Sequence, residues 1–178
     1  LFAEENYFCE KVNAATREEI RGDGKRQSTG EAFADLQEGD VLLTKAAHTL
    51  GFRHGHAALV VDTVKGYTLE AVSPGQNSKL QSIEKWRNYP TFVQLRLKEE
   101  FRTPVLGKQI ALYSLCSLKE IPYGIFSAPF MKHQKGIIEK TQCAYLIWAA
   151  YHHFGLDVDG GRDPLVLPAD LAKSPCFE

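Results

Sequence analysis

Net charge and long apolar runs are both scarce in this chain of 178 residues. Lys and Arg number 21 against 22 Asp and Glu, leaving a formal net charge of −1. No global field therefore draws the chain toward nucleic acid or acidic membranes. The most basic stretch, Lys132–Lys140, is interrupted by Glu139. No apolar run approaches the roughly 20 residues that a bilayer-spanning helix requires. The longest, Ala144–Ala150, closes on Tyr151-His152-His153. Cysteine is sparse as well, and Cys9, Cys116, Cys143 and Cys176 form no Cys-x-x-Cys pair. That spacing argues against a zinc ribbon or a thioredoxin-like redox site. A Cys9–Cys176 disulfide joining the chain ends is one option for an exported protein, but sequence fixes no connectivity. The chain opens on Leu1, so the lack of a leader carries no information on export.

What is present suits one domain of ordinary size, with 44% hydrophobic residues available for a core. Residues 3–21 read as a helix, with Phe8, Val12, Ala15 and Ile20 near helical spacing. Gly22-Asp23-Gly24 breaks it, and a short helical piece over Glu31–Leu36 leads to a turn at Gln37–Asp40. Val41–Thr44 reads as a strand, and Ala57–Asp62 as a buried strand opened by His56. Tyr67–Val72 returns as the second arm of a hairpin with Gly66 in its loop. Thr91–Leu97 alternates as a strand with one wet face. Beyond it the chain reads as helical over Gly107–Leu118 and Ala144–Phe154. Thr141 is the N-cap of the second helix and Gly155 its C-cap, and a last turn lies near Ala169–Leu171. The fold class that follows is α+β, an antiparallel sheet or small barrel packed by helices. An N-terminal helical extension over 1–35 precedes a main domain over 36–178.

Three residues point to chemistry. Cys143 falls in the first turn of its helix, where free backbone N–H groups and the helix dipole favour a thiolate. It also shares a face with Ile147, Ala150 and Phe154, which suits an ordinary core thiol. His56, at a strand end after a glycine, can present its ring as a general base, or be a plain surface histidine. Glu70 interrupts an apolar strand and can orient His56, or simply face solvent. A tight hairpin centred on Lys65 sets Glu70 opposite Val60, four residues from His56. At about 3.3 Å per residue that gap is too wide, so contact requires a bulge or an asymmetric loop.

The order His56, Glu70, Cys143 resembles the circularly permuted branch of the NlpC-type, papain-like cysteine amidases. The matching pieces run in that family's order across about residues 36–175. They are Gly39–Leu43, Gly55–Val61, Leu69–Ala71, Pro122–Gly124, Gln142–Trp148 and Leu167–Leu171. The resemblance implies Cys143 as nucleophile, His56 as base, Glu70 as the residue orienting it, and Tyr123 as a hydroxyl near the thiol that helps bind an oxyanion. It implies no metal and no organic cofactor. Its substrates are amide bonds in bacterial cell-wall peptides, cleaved outside the cytoplasm, with no nucleic acid partner. The N-terminal segment lies outside the match, and Gly124 stands where a polar residue is expected.

Two rivals remain. Permuted papain-like folds include relatives of lecithin retinol acyltransferase that act on acyl esters. This chain lacks their Asn-Cys-Glu-His stretch, and an exposed apolar groove around Trp86, Phe126, Phe130 and Met131 would favour them. The other rival is a non-catalytic binding module, including a zinc site built from His54, His56 and Cys143. Oligomeric state leaves no readable mark.

Overall fold

The computed structural model describes residues 33, 35–46, 55–124, 138–161 and 164–178. Of residues 18–20, 26–28, 48–49 and 52–53 it describes the backbone. Strand β1 (Glu18–Ile20) pairs antiparallel with β2 (Arg26–Ser28). The helix expected over 3–21 is therefore wrong at its C-terminal end, and its earlier residues lie outside the described ones. Phe33, Asp35 and Leu36 are also non-helical, which overturns the short helix expected at 31–36.

A five-stranded antiparallel sheet forms the centre. Its strands are β3 (Val41–Thr44), β6 (His56–Asp62), β7 (Tyr67–Glu70), β8 (Lys79–Ser82) and β9 (Val93–Leu95), in the order β8-β7-β6-β3-β9. A separate short ribbon pairs β4 (His48–Thr49) with β5 (Phe52–Arg53). The α+β class is as read from the sequence.

Period-two alternation divides the apolar residues of the sheet between two cores. Val41, Leu43, Ala57, Leu59, Leu69, Val93 and Leu95 face one way. Against them pack α1 (Leu106–Ser117), α2 (Cys143–His152) and α3 (Pro168–Lys173). Leu42, Ala58 and Val60 face the other way, onto Ile83, Trp86 and Phe92. Ile83 and Trp86 come from a 3₁₀ turn, Ile83–Asn88, started by the Ser82 hydroxyl accepting from the Glu84 N–H at 3.3 Å. The wet face expected for the Thr91–Leu97 strand is thus covered. Its polar residue, Gln94, is buried and donates to Asp40 at 2.9 Å.

Helix α2 is apolar on every side, and Cys143 through Tyr151 are all buried. Such a helix belongs inside a domain. Its far end is tied down by the Tyr151 hydroxyl, which donates to the Gly39 carbonyl. Beside that contact, Arg96 forks onto the Asp40 carboxylate at 2.8 and 2.7 Å, joining the start of β3 to the end of β9. The chain terminus closes the same edge through paired backbone bonds between Arg96 and Glu178 at 3.0 and 2.9 Å.

Helix α1 meets this region backbone to backbone. A Cβ on Gly107 would lie 2.2 Å from the Glu38 carbonyl oxygen. Gly107→Ala should accordingly lower unfolding stability by about 1–3 kcal/mol, the usual cost of overpacking a closed contact. Urea denaturation checks this, and an unchanged midpoint would show that the contact yields freely.

Candidate active site

His56 is the first residue of β6 and lies opposite Thr44 of β3. The preceding Gly55 takes φ +80, and a Cβ there would meet the Thr44 carbonyl oxygen at 2.6 Å. Only glycine allows the chain to enter the strand so close to its neighbour. The other side of β6 pairs with β7, and between Val60 and Asp62 the register slips by a bulge. Leu59 then pairs with Leu69, and one further step sets Glu70 beside Ala58, two residues from His56 on the same face. Across neighbouring strands, a diagonal offset of two residues is within reach of long side chains. His56 Nε2 and Glu70 Oε2 are 2.7 Å apart. The bulge supplies the shift that a tight hairpin lacks.

The pair is deeply enclosed: His56 is 5% exposed and Glu70 6%. A carboxylate so removed from water must be surrounded by donors. Besides His56, Glu70 accepts from the Thr68 hydroxyl at 2.5 Å and the Trp86 indole N–H at 2.9 Å, both on Oε1. The Trp86 ring also stacks on His56, with centroids 5.7 Å apart and planes 15° from parallel. Burial works to protonate Glu70, but the hydrogen bond and charge of His56, then the hydrogen bonds of Thr68 and Trp86, hold it below the usual carboxylate range. Burial likewise opposes a charge on His56. Hydrogen bonding and charge from Cys143 and Glu70 outweigh it and push the ring up to about 10.

Cys143 reaches this ring from the opposite core. It is the first residue of α2, where the helix presents unpaired N–H groups and the positive end of its dipole. Cys143 and Glu70 both act on the ring, and the Glu70 hydrogen bond takes Nε2. With Nε2 engaged by Glu70, Nδ1 is the nitrogen left for the sulfur.

The cap is Gln142, not Thr141 as the sequence suggests. Gln142 Oε1 accepts from the Ala144 N–H at 2.8 Å, while Nε2 donates to the Val166 carbonyl at 2.5 Å. Thr141 instead bridges to Tyr123, its N–H donating to the Pro122 carbonyl at 2.9 Å. That bridge brings Tyr123 beside the thiol: burial, and then the charge of Cys143, push its hydroxyl up to about 12. Tyr89, tilted against His56 and Trp86, is also pushed up to about 12, by burial and then by the charges of Glu70 and Cys143. All four residues singled out from the sequence thus converge. Thr68, Trp86, Tyr89 and Gln142 join them without having been named for this site.

Comparison with known proteins returns no match. No family model, curated protein or solved structure resembles the chain closely enough to place it. The geometry alone can therefore speak to chemistry: a thiol at a helix start, an imidazole held by a buried carboxylate, and a hydroxyl beside the sulfur. A cavity of about 440 Å³ lies elsewhere. It lies at the other end of β3 and α2, lined by Asp40, Arg96, Arg102, Lys108 and Tyr151, and holds no nucleophile–base pair.

The proposed metal ligand His54 lies outside the described residues, and His56 spends Nε2 on Glu70. Among the described residues no group of three His, Cys, Asp or Glu side chains is arranged to hold a metal. Cys176 carries a free, buried thiol 3.5 Å from the Asp157 carbonyl oxygen, and Cys9 lies outside the described residues. No described helix is long and apolar enough to cross a membrane.

The pair makes stability depend on pH. His56 is raised from 6.5, so its contribution is complete below pH 6.5 and fades as pH climbs toward about 10. Glu70 is lowered from 4.5, so its share is complete above pH 4.5 and fades as pH falls through its folded value. Urea midpoints should therefore be highest between pH 4.5 and 6.5 and decline on the alkaline side. His56→Gln should flatten that alkaline decline. An unaltered slope in the variant would count against the ion pair.

Proposed function

We propose that this chain is a cysteine hydrolase with a permuted papain-like fold, in which Cys143, His56 and Glu70 act in sequence on a carbonyl substrate. The observation that carries the reading is the buried His56–Glu70 contact of 2.7 Å, with Cys143 acting on the same ring from the start of α2. The Cys143 sulfur attacks the carbonyl carbon, and the carbonyl π electrons move onto oxygen. As the tetrahedral species collapses, the C–N or C–O bond breaks and the His56 imidazolium gives its proton to the leaving group. Neutral His56 then takes a proton from water, which attacks the thioester and releases the acid. Glu70 keeps the ring oriented and stabilises its charge throughout.

The oxyanion site differs from the simplest expectation. The Ala144 N–H is already satisfied by Gln142, so it is not a free donor. In this reading the Cys143 N–H at the start of α2 and the Tyr123 hydroxyl are the donor pair for the oxyanion. The reaction needs neither metal nor organic cofactor.

An amide of a bacterial cell-wall peptide, outside the cytoplasm, is the substrate that the family resemblance favours. The acyl-ester rival called for an exposed apolar groove including Trp86. Trp86 is 1% exposed, which removes it from any such groove, and Phe126, Phe130 and Met131 lie outside the described residues.

Iodoacetamide at pH 6.5 should alkylate Cys143 roughly tenfold or more faster than Cys116, although Cys116 is the exposed thiol. His56→Ala should erase that advantage. Wall stem peptides and a panel of acyl esters then separate the substrate classes. Cys143→Ala should abolish turnover of the true class by about 10³-fold or more. Equal alkylation of Cys143 and Cys116 would refute an activated nucleophile, and ester turnover without peptide turnover would move the assignment to the acyltransferase-like class.

A further inference from the structure

We infer that Trp86 is a positioning residue of this site, with its indole N–H fixing the Glu70 carboxylate while its ring face covers His56. The inference rests on the hydrolase reading of Cys143 and adds a residue that neither the sequence pattern nor the triad itself supplies. Two contacts from one side chain carry it. The N–H donates to Glu70 Oε1 at 2.9 Å, and the ring lies nearly parallel to the imidazole at 5.7 Å.

The chemistry of an indole suits the task. It donates and cannot accept, so it can neither take the proton from the carboxylate nor reverse the bond, unlike the rotatable Thr68 hydroxyl on the same oxygen. A donor of fixed sense keeps Glu70 ionised as His56 cycles between charged and neutral. The ring face favours the imidazolium through its quadrupole and keeps water off the ion pair.

Trp86 is itself held rigidly. The 3₁₀ turn that bears it is anchored by the Ile83 N–H on the Gly66 carbonyl at 2.9 Å. Its edge meets Phe92 at 5.9 Å and Tyr89 packs against it at 5.0 Å. The turn thereby links the β6–β7 loop to the orientation of the general base. Trp86 acts through Glu70 and His56, each of which it contacts directly.

The variant Trp86→Phe keeps an aromatic face and deletes the N–H. Because that N–H helps hold Glu70 low, its loss should move the acid limb of the Cys143 alkylation–pH profile upward by roughly half to one pH unit. Thr68→Val, which removes the other donor on Oε1, should move it the same way. Trp148→Phe, whose indole bonds to Asp157 instead, should leave it in place. An acid limb unmoved in folded Trp86→Phe overturns the inference. Should that variant fail to fold, the full chain labelled with 5-fluorotryptophan in the Trp148→Phe background leaves Trp86 as the single fluorine reporter. Its resonance should titrate with the midpoint of the acid limb, and a resonance constant across that range overturns the inference equally. Failure of the hydrolase reading looks different: Cys143 would then alkylate no faster than Cys116 in the wild type, whatever Trp86 does.

Discussion

Glu70 holds a negative charge where almost no water reaches it, and the site follows from how that charge is satisfied. Three donors converge on it: His56 from the neighbouring strand, Thr68 from its own strand, and Trp86 from a 3₁₀ turn on the covering layer. Remove the partners and the carboxylate would take up a proton, since isolated charge in a protein interior is costly. With them it stays ionised and draws His56 into the charged form. Cys143, at the start of α2, faces that charged imidazole. The sheet thus supplies the positive partner, and the helix places the sulfur that meets it.

The scaffold is built to keep those two halves in register. Helix α2 lies wholly within the core, so Cys143 cannot drift without repacking Ile147, Ala150 and Tyr151. The helix is fastened at both ends, by Gln142 bridging to Val166 and by Tyr151 bonding to Gly39. β6 is equally constrained, between β3 on one side and the bulged pairing with β7 on the other. The site lies at the His56 end of this assembly, whereas the Arg96–Asp40 fork and the open cavity mark its opposite end.

Much of this was legible in the sequence, and the exceptions have physical reasons. Val41–Thr44 and His56–Asp62 declare themselves as strands by apolar run length and β-branching, and α2 by an apolar run that ends near Gly155. Cys143, His56 and Glu70 could be picked out because each is a reactive or charged residue interrupting an apolar element. The distance between His56 and Glu70 could not be read, because the bulge at Val60–Asp62 involves no glycine that would flag it. Thr141 was the better cap by propensity, but the longer Gln142 side chain reaches both Ala144 and Val166 and wins by making two bonds. The expected helix at 3–21 gives way to strand pairing at 18–20, where spacing alone did not distinguish the two. Trp86 carried no signal, since its role depends on strand register and on a turn that pattern does not predict.

The central claim is that His56 remains an imidazolium at and above neutral pH because Glu70 and Cys143 face it. The direct measurement is NMR of the chain labelled with ¹⁵N-histidine, following the His56 ring nitrogens, assigned by loss of the signal in His56→Gln, from pH 5 to 10.5. The account predicts a charged ring well past pH 8, with a midpoint that falls in Glu70→Gln and in Cys143→Ala. A ring that loses its proton near 6.5 in the wild type, unaffected by either substitution, would contradict it.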